Sequence, residues 1–258
     1  MNFTQLHQQN PPLLLANVWD AASASAAQQA GYQALGTSSA AIAASLGYED
    51  GEAMPFDEML YIVSRIRSVS HLPLSVDIEA GYGQTVQQIS HHIRRLAQCG
   101  VVGINLEDSH VVNGQRQLDD AHLFANKLSG IRGLLAAVDY PLFINVRTDT
   151  YLLNHAQALQ ETLQRGRLYH RAGADGFFVP GLTSLQDMAV ISGQVSLPLN
   201  VMCMPALASF DCLAKAGVKR ISMGNFVHSA TQDKLNALLL TIQTQRSFAG
   251  VFLDASAG

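Results

Sequence analysis

Charge is scarce in this chain. Only 14% of its 258 residues are Asp, Glu, Lys or Arg, against 48% that are hydrophobic. A chain so poor in charge and so rich in apolar side chains can bury a large core, which excludes disorder. Cysteine is scarce too. Cys99, Cys203 and Cys212 are odd in number and show no CxxC spacing. That argues against a disulfide scaffold and predicts a reducing, cytoplasmic compartment. No apolar run reaches the roughly 18 residues of a membrane span. The opening stretch MNFTQLHQQNPP lacks a basic region followed by an apolar one, so no signal peptide is expected. Basic clusters with interleaved aromatics are missing as well. A net charge of −4 and a pI near 6.1 offer nothing to nucleic acid or to an acidic membrane surface.

What the chain does have is a repeated beat of apolar strand, polar turn and helix. Strands are predicted at residues 13–18, 33–39, 74–80, 103–108, 142–149, 176–181, 199–204 and 220–225. Helices follow at 20–30, 56–69, 85–98, 119–137 and 155–171, then a short one after Thr183, then 206–215 and 229–245. Such alternation implies parallel strands joined by right-handed crossovers. Eight units over 1–258 predict an α/β fold, a single (β/α)₈ TIM-type barrel in one domain. The strands are apolar throughout, as helix-covered strands are. Ala30-Gly31, Cys99-Gly100, Ala172-Gly173 and Ala216-Gly217 each precede a strand. A glycine just past a helix can adopt the left-handed conformation that ends it.

Barrel active sites sit at the C-terminal ends of the strands. There the sequence places Thr37, Ser38 and Ser39, with Asp50 in the loop beyond. It also places Asp77 and Glu79; Asn105, Glu107 and Asp108; Asn145, Arg147 and Asp149; and Ser222 and Asn225, with Asn200 just before the seventh strand. Residues two apart in a strand share a face, so Asp77 and Glu79 are expected together in the barrel mouth. Asp108 and Asp149 read equally well as capping or loop-bonding acids. Several carboxylates in one space need a counter-charge. Arg147 is the one basic residue at the strand ends, so a cation is expected, and oxygen ligands favour Mg²⁺ or Mn²⁺. Arg147 suits a bidentate grip on a substrate carboxylate or phosphonate. His110, beside Glu107 and Asp108, is a candidate acid or base. Cys203, within an apolar strand, reads as buried filling.

These residues stand in stretches that resemble the phosphoenolpyruvate mutase/isocitrate lyase superfamily. The stretches are NVWDAASA (17–24), GTSSAAIAASLGYEDGE (36–52), VDIEAGYG (76–83), GINLEDS (103–109), INVRTD (144–149) and GADGFFVPGL (173–182). PLNVM (198–202) and GVKRISMG (217–224) extend the match over most of the chain. The resemblance implies a Mg²⁺-dependent barrel acting on 2-oxo acids, with an enolate chelated to the metal. By position it makes Asp77 the principal metal ligand, with Asp50, Glu79 and Glu107 holding metal-bound water. Ser38, Ser39 and Ala40 match the segment that binds the substrate carboxylate, Arg147 the arginine near the reacting carbon, and Asn200 a polar substrate contact. Asn105 joins the substrate-binding set. Family members form dimers and tetramers, often exchanging the last helix, and the run 235–253 is apolar enough to dock on a neighbour.

The chain departs from the resemblance in one loop. After the fourth strand, lyases of the superfamily carry Lys-Lys-Cys-Gly-His, whereas this loop reads SHVVNGQRQLDD, with no cysteine or lysine. The thiol route is therefore unsupported. EDS also replaces the EDK of mutases and phosphonopyruvate hydrolases. What remains is a metal-dependent enzyme that cleaves a C–C bond of a 2-oxo acid or related dicarboxylate, oxaloacetate decarboxylase-like or 2-alkylmalate/methylisocitrate lyase-like. Catalysis would rest on Arg147, Asp50 and His110, with His110, Tyr82 or water as proton donor. A P–C bond enzyme and a non-catalytic keto-acid binder are the alternatives.

Overall fold

A computed structural model describes residues 2–137 and 141–252. A four-residue helix α1 (Phe3–Leu6) precedes β1 (Leu13–Leu14), β2 (Ala16–Val18) and α2 (Ala21–Gln29). Then come β3 (Leu35–Thr37), α3 (Ser39–Leu46), α4 (Phe56–Val69), β4 (Leu74–Asp77), α5 (Val86–Gln98) and β5 (Gly103–Glu107). A hairpin of β6 (Ser109–Val112) and β7 (Gln115–Leu118) leads into α6 (Ala121–Ala136). The chain continues through β8 (Phe143–Arg147), α7 (Ala158–Arg171), β9 (Gly176–Phe178), α8 (Leu185–Gln194), β10 (Leu199–Met202), α9 (Phe210–Lys215), β11 (Val218–Ser222) and α10 (Phe226–Gln245).

The main sheet runs β1-β11-β10-β9-β8-β5-β4-β3-β2, and all its pairs are parallel. Its two edges, β1 and β2, are successive pieces of one extended stretch broken only at Leu15. That stretch pairs with β11 on one side and β3 on the other, so eight staves close a barrel, as the eight-unit pattern predicts. The helices clothe it because their apolar positions recur once per turn. In α4 the buried Phe56, Met59, Val63 and Ile66 form one stripe. Each such burial stabilises the fold by about 1.5–3 kcal/mol. The four predicted helix-ending glycines, Gly31, Gly100, Gly173 and Gly217, all take positive φ, between 80° and 99°.

The barrel floor is plugged by α1. Phe3 meets Phe143 edge-on at 5.6 Å, and the His7 ring stacks on Phe143 at 4.1 Å. A Cβ at Gly103 would stand 2.7 Å from the Phe3 ring, so the plug requires glycine there.

Three elements depart from the sequence reading. The helix α3 takes Ser39 from the predicted strand 33–39 and fills 40–46, assigned to no element, although SAAIAASL is rich in alanine, the strongest helix former. Residues 109–118 form a hairpin rather than a loop. Cys203 lies just past β10 and is exposed, not buried filling. The long α10 has a single buried residue, His228, while Leu235, Leu239 and Leu240 are 45%, 55% and 65% exposed. The apolar run 235–253 therefore does not pack on its own barrel as far as Phe252; Leu253 lies outside the described residues. Among the described residues no helix is long and apolar enough to cross a membrane.

Candidate active site

At the C-terminal end of the barrel lies a cavity of about 250 Å³. Ser38, Ser39 and Ala40 line it from the start of α3. Asp50, Asp77, Asn105 and Arg147 complete its predicted wall. The local build is dense. Thr37 Oγ1 accepts the Asp77 N–H at 2.9 Å, which ties β3 to β4 at their ends. Ser38 Oγ caps α3 by accepting the Ala41 N–H at 3.3 Å. Ser39 Oγ then donates to Asp77 Oδ2 at 2.9 Å.

Asp77 is the carboxylate of the cavity that no arginine or lysine pairs among the described residues. Beyond Ser39 it accepts only a long bond, 3.4 Å, from the Glu79 N–H. It makes no ion pair among the described residues. Burial raises its pKa, against the pull of Arg147 and of the Ser39 hydrogen bond.

Glu107, Asp149 and Asp50 are instead paired with arginines. Arg147 Nη1 lies 2.7 Å from Glu107 Oε2, and its Nε and Nη2 hold Asp149 at 2.6 and 3.0 Å. Arg116 reaches in from β7. Its Nη1 pairs with Glu107 Oε1 and donates to Ser109 Oγ at 3.0 Å, while its Nη2 reaches Asp50 Oδ2 at 3.3 Å. Burial raises the Glu107 carboxyl pKa, and the two guanidiniums oppose it. Arg147 is therefore not the only basic group at the strand ends. Arg116 gets there because Asn113 (φ 50°) and Gly114 (φ 74°) make a tight turn that folds Val111 opposite Arg116. Asn-Gly after two valines is a strong hairpin signal, and it was legible in VVNGQR.

Glu79 does not share the Asp77 face. It lies past the end of β4 at φ 50°, which breaks the strand alternation behind the pairing expectation. Tyr82 Oη donates to Glu79 Oε1 at 2.9 Å, and the Glu52 N–H to Oε2 at 2.8 Å. Burial, then the nearby Asp50 and Asp77, pushes its pKa up to about 7. Glu79, Glu107 and His110 line a separate cavity of about 160 Å³ under the hairpin. His110 is exposed, with Nδ1 2.5 Å from Asp119 Oδ1, and does not line the main cavity. Asn200 is buried below the cavity rather than in its wall. Its Nδ2 donates to Val201 O and Ser222 Oγ, and its Oδ1 accepts from Asn145 Nδ2. Asp108 faces the helix layer, bonded to Arg165, Tyr169 and Thr148, and is structural.

No three His, Cys, Asp or Glu side chains among the described residues come close enough to hold a cation between them. A hydrated Mg²⁺ or Mn²⁺ still fits, because such ions take one or two carboxylates and keep several waters. Asp77, in the cavity wall and without an ion pair among the described residues, is placed to serve as a direct ligand, with Asp50 in the same wall. Glu79 already spends both oxygens on protein donors, whereas Glu107 gives Oε1 to Arg116 and keeps Oε2 buried beside Arg147 without a hydrogen bond.

Two further features escaped the sequence reading. Arg220, mid-strand in β11, is fully buried, and its Nη2 donates to Asn105 Oδ1 at 3.3 Å beneath the cavity. Burial pulls its pKa down to about 9. The opposite cavity wall is apolar, formed largely by Phe178, Met202, Met204 and Phe226.

Comparison with known proteins agrees with this fold. The family described as phosphoenolpyruvate phosphomutase matches residues 3–243. Oxaloacetate decarboxylase 1 of Pseudomonas fluorescens (strain Pf0-1) is 29% identical over 261 residues, covering 99% of this chain and 86% of that one. The 2-methylisocitrate lyase of Shewanella oneidensis is 30% identical over 203 residues, 77% of this chain and 68% of that one. A crystal structure from Burkholderia cenocepacia J2315 is 37% identical with a TM-score of 0.87, covering 93% and 97% of the two chains.

Proposed function

We propose, from the premise that this chain belongs to the phosphoenolpyruvate mutase/isocitrate lyase superfamily, that it is a divalent-metal-dependent lyase cleaving a C–C bond of a 2-oxo acid or related dicarboxylate. The observation that carries this is Asp77, a carboxylate in the cavity wall with no ion pair among the described residues, beside Arg147. Relatives named oxaloacetate decarboxylase and 2-methylisocitrate lyase support the reaction class.

A divalent cation held by Asp77, with Asp50 near its waters, supplies Lewis-acid stabilisation of the negative charge that builds on the 2-oxo oxygen. The protein does the rest. The N-terminal turn of α3, through the backbone N–H groups of Ser39 and Ala40, receives the substrate carboxylate. Arg147 is fixed by Glu107 and Asp149, so its fork is oriented before substrate arrives. In decarboxylation the breaking C–C bond leaves its electron pair on the carbon beside the 2-oxo group. In cleavage of a 2-hydroxy dicarboxylate the hydroxyl loses its proton as the C=O forms, and the pair stays on the α carbon of the departing acid. Either carbon must then take a proton. Tyr82 already donates its O–H to Glu79, and His110 is outside the cavity, which leaves water as the donor.

The test is pyruvate release with Mg²⁺ from oxaloacetate, methylisocitrate and 2-alkylmalates, with phosphate release from phosphonopyruvate in parallel. Turnover that disappears in Asp77→Asn is the expected result. Phosphate release alone would move the protein to the P–C branch. Silence on every substrate would leave a keto-acid binder.

We also propose a cytoplasmic homodimer or homotetramer in which α10 docks on a neighbour. A 20-residue helix with one buried side chain and three half-exposed leucines supports this. Leu239→Asp should shift the mass measured by light scattering toward the monomer.

A further inference from the structure

The cavity has two unlike walls. Its ionisable groups, Asp50, Asp77 and Arg147, all stand on or after β3, β4 and β8. The opposite wall is built by β9, β10, β11 and the residues just past them. There Phe178, Pro180, Met202, Met204 and Phe226 face the space, joined by Leu152 from beyond β8. This wall carries no ionisable side chain. Its polar side chains are neutral: Ser222 Oγ is occupied, donating to Val201 O at 3.2 Å and accepting from Asn200 Nδ2 at 3.1 Å, and Asn225 adds one amide at the start of α10.

A substrate carboxylate placed against that wall would lose its water and gain no cation. Arg116 is spent on Glu107, Ser109 and Asp50 on the other side. Arg220 is sealed beneath the floor, with its Nη2 on Asn105. Hydrocarbon meets the opposite balance, because each buried methylene tightens binding about fourfold. The two methionines can also adjust to a chain of varied shape.

We infer that the arm of the substrate pointing away from Asp77 and Arg147 is a hydrocarbon chain. The ligand class is an alkyl-substituted 2-oxo acid, or the 2-hydroxy acid that yields one, without a carboxylate on that arm. This rests on the keto-acid reading above and narrows it.

The experiment is isothermal titration of the intact protein with Mg²⁺ and three ligands. Oxalate engages the metal end and has no arm. The pair 2-oxopentanoate and 2-oxoglutarate has the same five carbons and differs by the terminal carboxylate. The expected result is that oxalate binds and that 2-oxopentanoate binds about tenfold or more tighter than 2-oxoglutarate. With pyruvate added as a reference beside these three, affinity should also rise about fourfold per carbon up to 2-oxopentanoate. Met204→Arg should reverse the order of the pair. Equal or tighter binding of 2-oxoglutarate by a wild-type protein that holds oxalate would overturn the apolar arm and leave the keto-acid reading standing. Failure of all three ligands would overturn both.

Discussion

The two arcs of the barrel mouth differ in what they spend on chemistry. From β3 to β8 the strand ends and the loops after them carry acids, held by two arginines in a network of contacts. From β9 to β11 the cavity wall is neutral and mostly apolar. A charged arc is costly to build, because each buried carboxylate must be paired or stay close to water. The neutral arc carries no such constraint and can change residue by residue without leaving an orphaned charge. One arc can thus keep a reaction while the other selects the substrate, a division that barrel folds permit because each loop varies on its own.

Breaking the charged arc should cost the most. Asp77→Asn keeps the shape and the Ser39 contact but removes the anion. Turnover should fall by about a thousandfold or more, and the heat of Mg²⁺ binding should vanish in titration. If the variant binds Mg²⁺ like the wild type, Asp77 is not the ligand. Arg147→Lys comes next. It keeps the charge but loses the fork that holds Glu107 and Asp149 together. We expect kcat/KM to drop about a hundredfold. A lysine variant as active as the wild type would reduce Arg147 to a point charge.

Much of this molecule can be read from its sequence. The eight staves follow from apolar runs ending in polar residues, and four helix-ending glycines keep the count. Ser38, Ser39, Asp50, Asp77 and Arg147 meet in one cavity because each stands at or just past a strand end or in the loop beyond, and Asn105 joins them from the middle of β5. What resisted reading is set by backbone turns or by the interior. Glu79 leaves the Asp77 face because its φ turns positive two residues past the strand. Arg220 sits in a stretch, RISMG, whose local pattern does not say that a guanidinium enters the barrel. The apolar arc is not legible in the sequence because Phe178, Met202 and Met204 look like any other apolar strand residues until the barrel closes.

A smaller effect is expected from the hairpin. Arg116 joins Asp50 to Glu107, so it ties the loop after β3 to the end of β5. Arg116→Ala removes one of two guanidiniums from Glu107 and releases the hairpin. KM should rise about tenfold with a smaller change in kcat, since Arg147 still holds the acid. The reverse split, an unchanged KM with a collapsed kcat, would place Arg116 at the reacting atoms.

The smallest effect tests the floor, which has no stake in the chemistry. His7 is buried on Phe143, and burial, helped by Arg220, lowers its pKa to about 3. The folded protein therefore refuses a proton that the unfolded chain takes below about 6.5. Stability from this group is complete above that pH and is lost as pH falls. Between pH 7.5 and 5.5 the loss is about 1.4 kcal/mol. Glu79, with its pKa raised to about 7, works the other way, because the folded state keeps a proton there that the unfolded chain releases above about 4.5. The wild-type slope therefore mixes floor and mouth. His7→Gln separates them, since glutamine can still donate to the Phe3 carbonyl that His7 Nδ1 contacts at 2.9 Å. In urea unfolding, the stability advantage of wild type over variant should shrink by about 1.4 kcal/mol from pH 7.5 to 5.5. An advantage that stays constant would mean that His7 titrates as it does in water, and the floor would then be wetter than its packing implies.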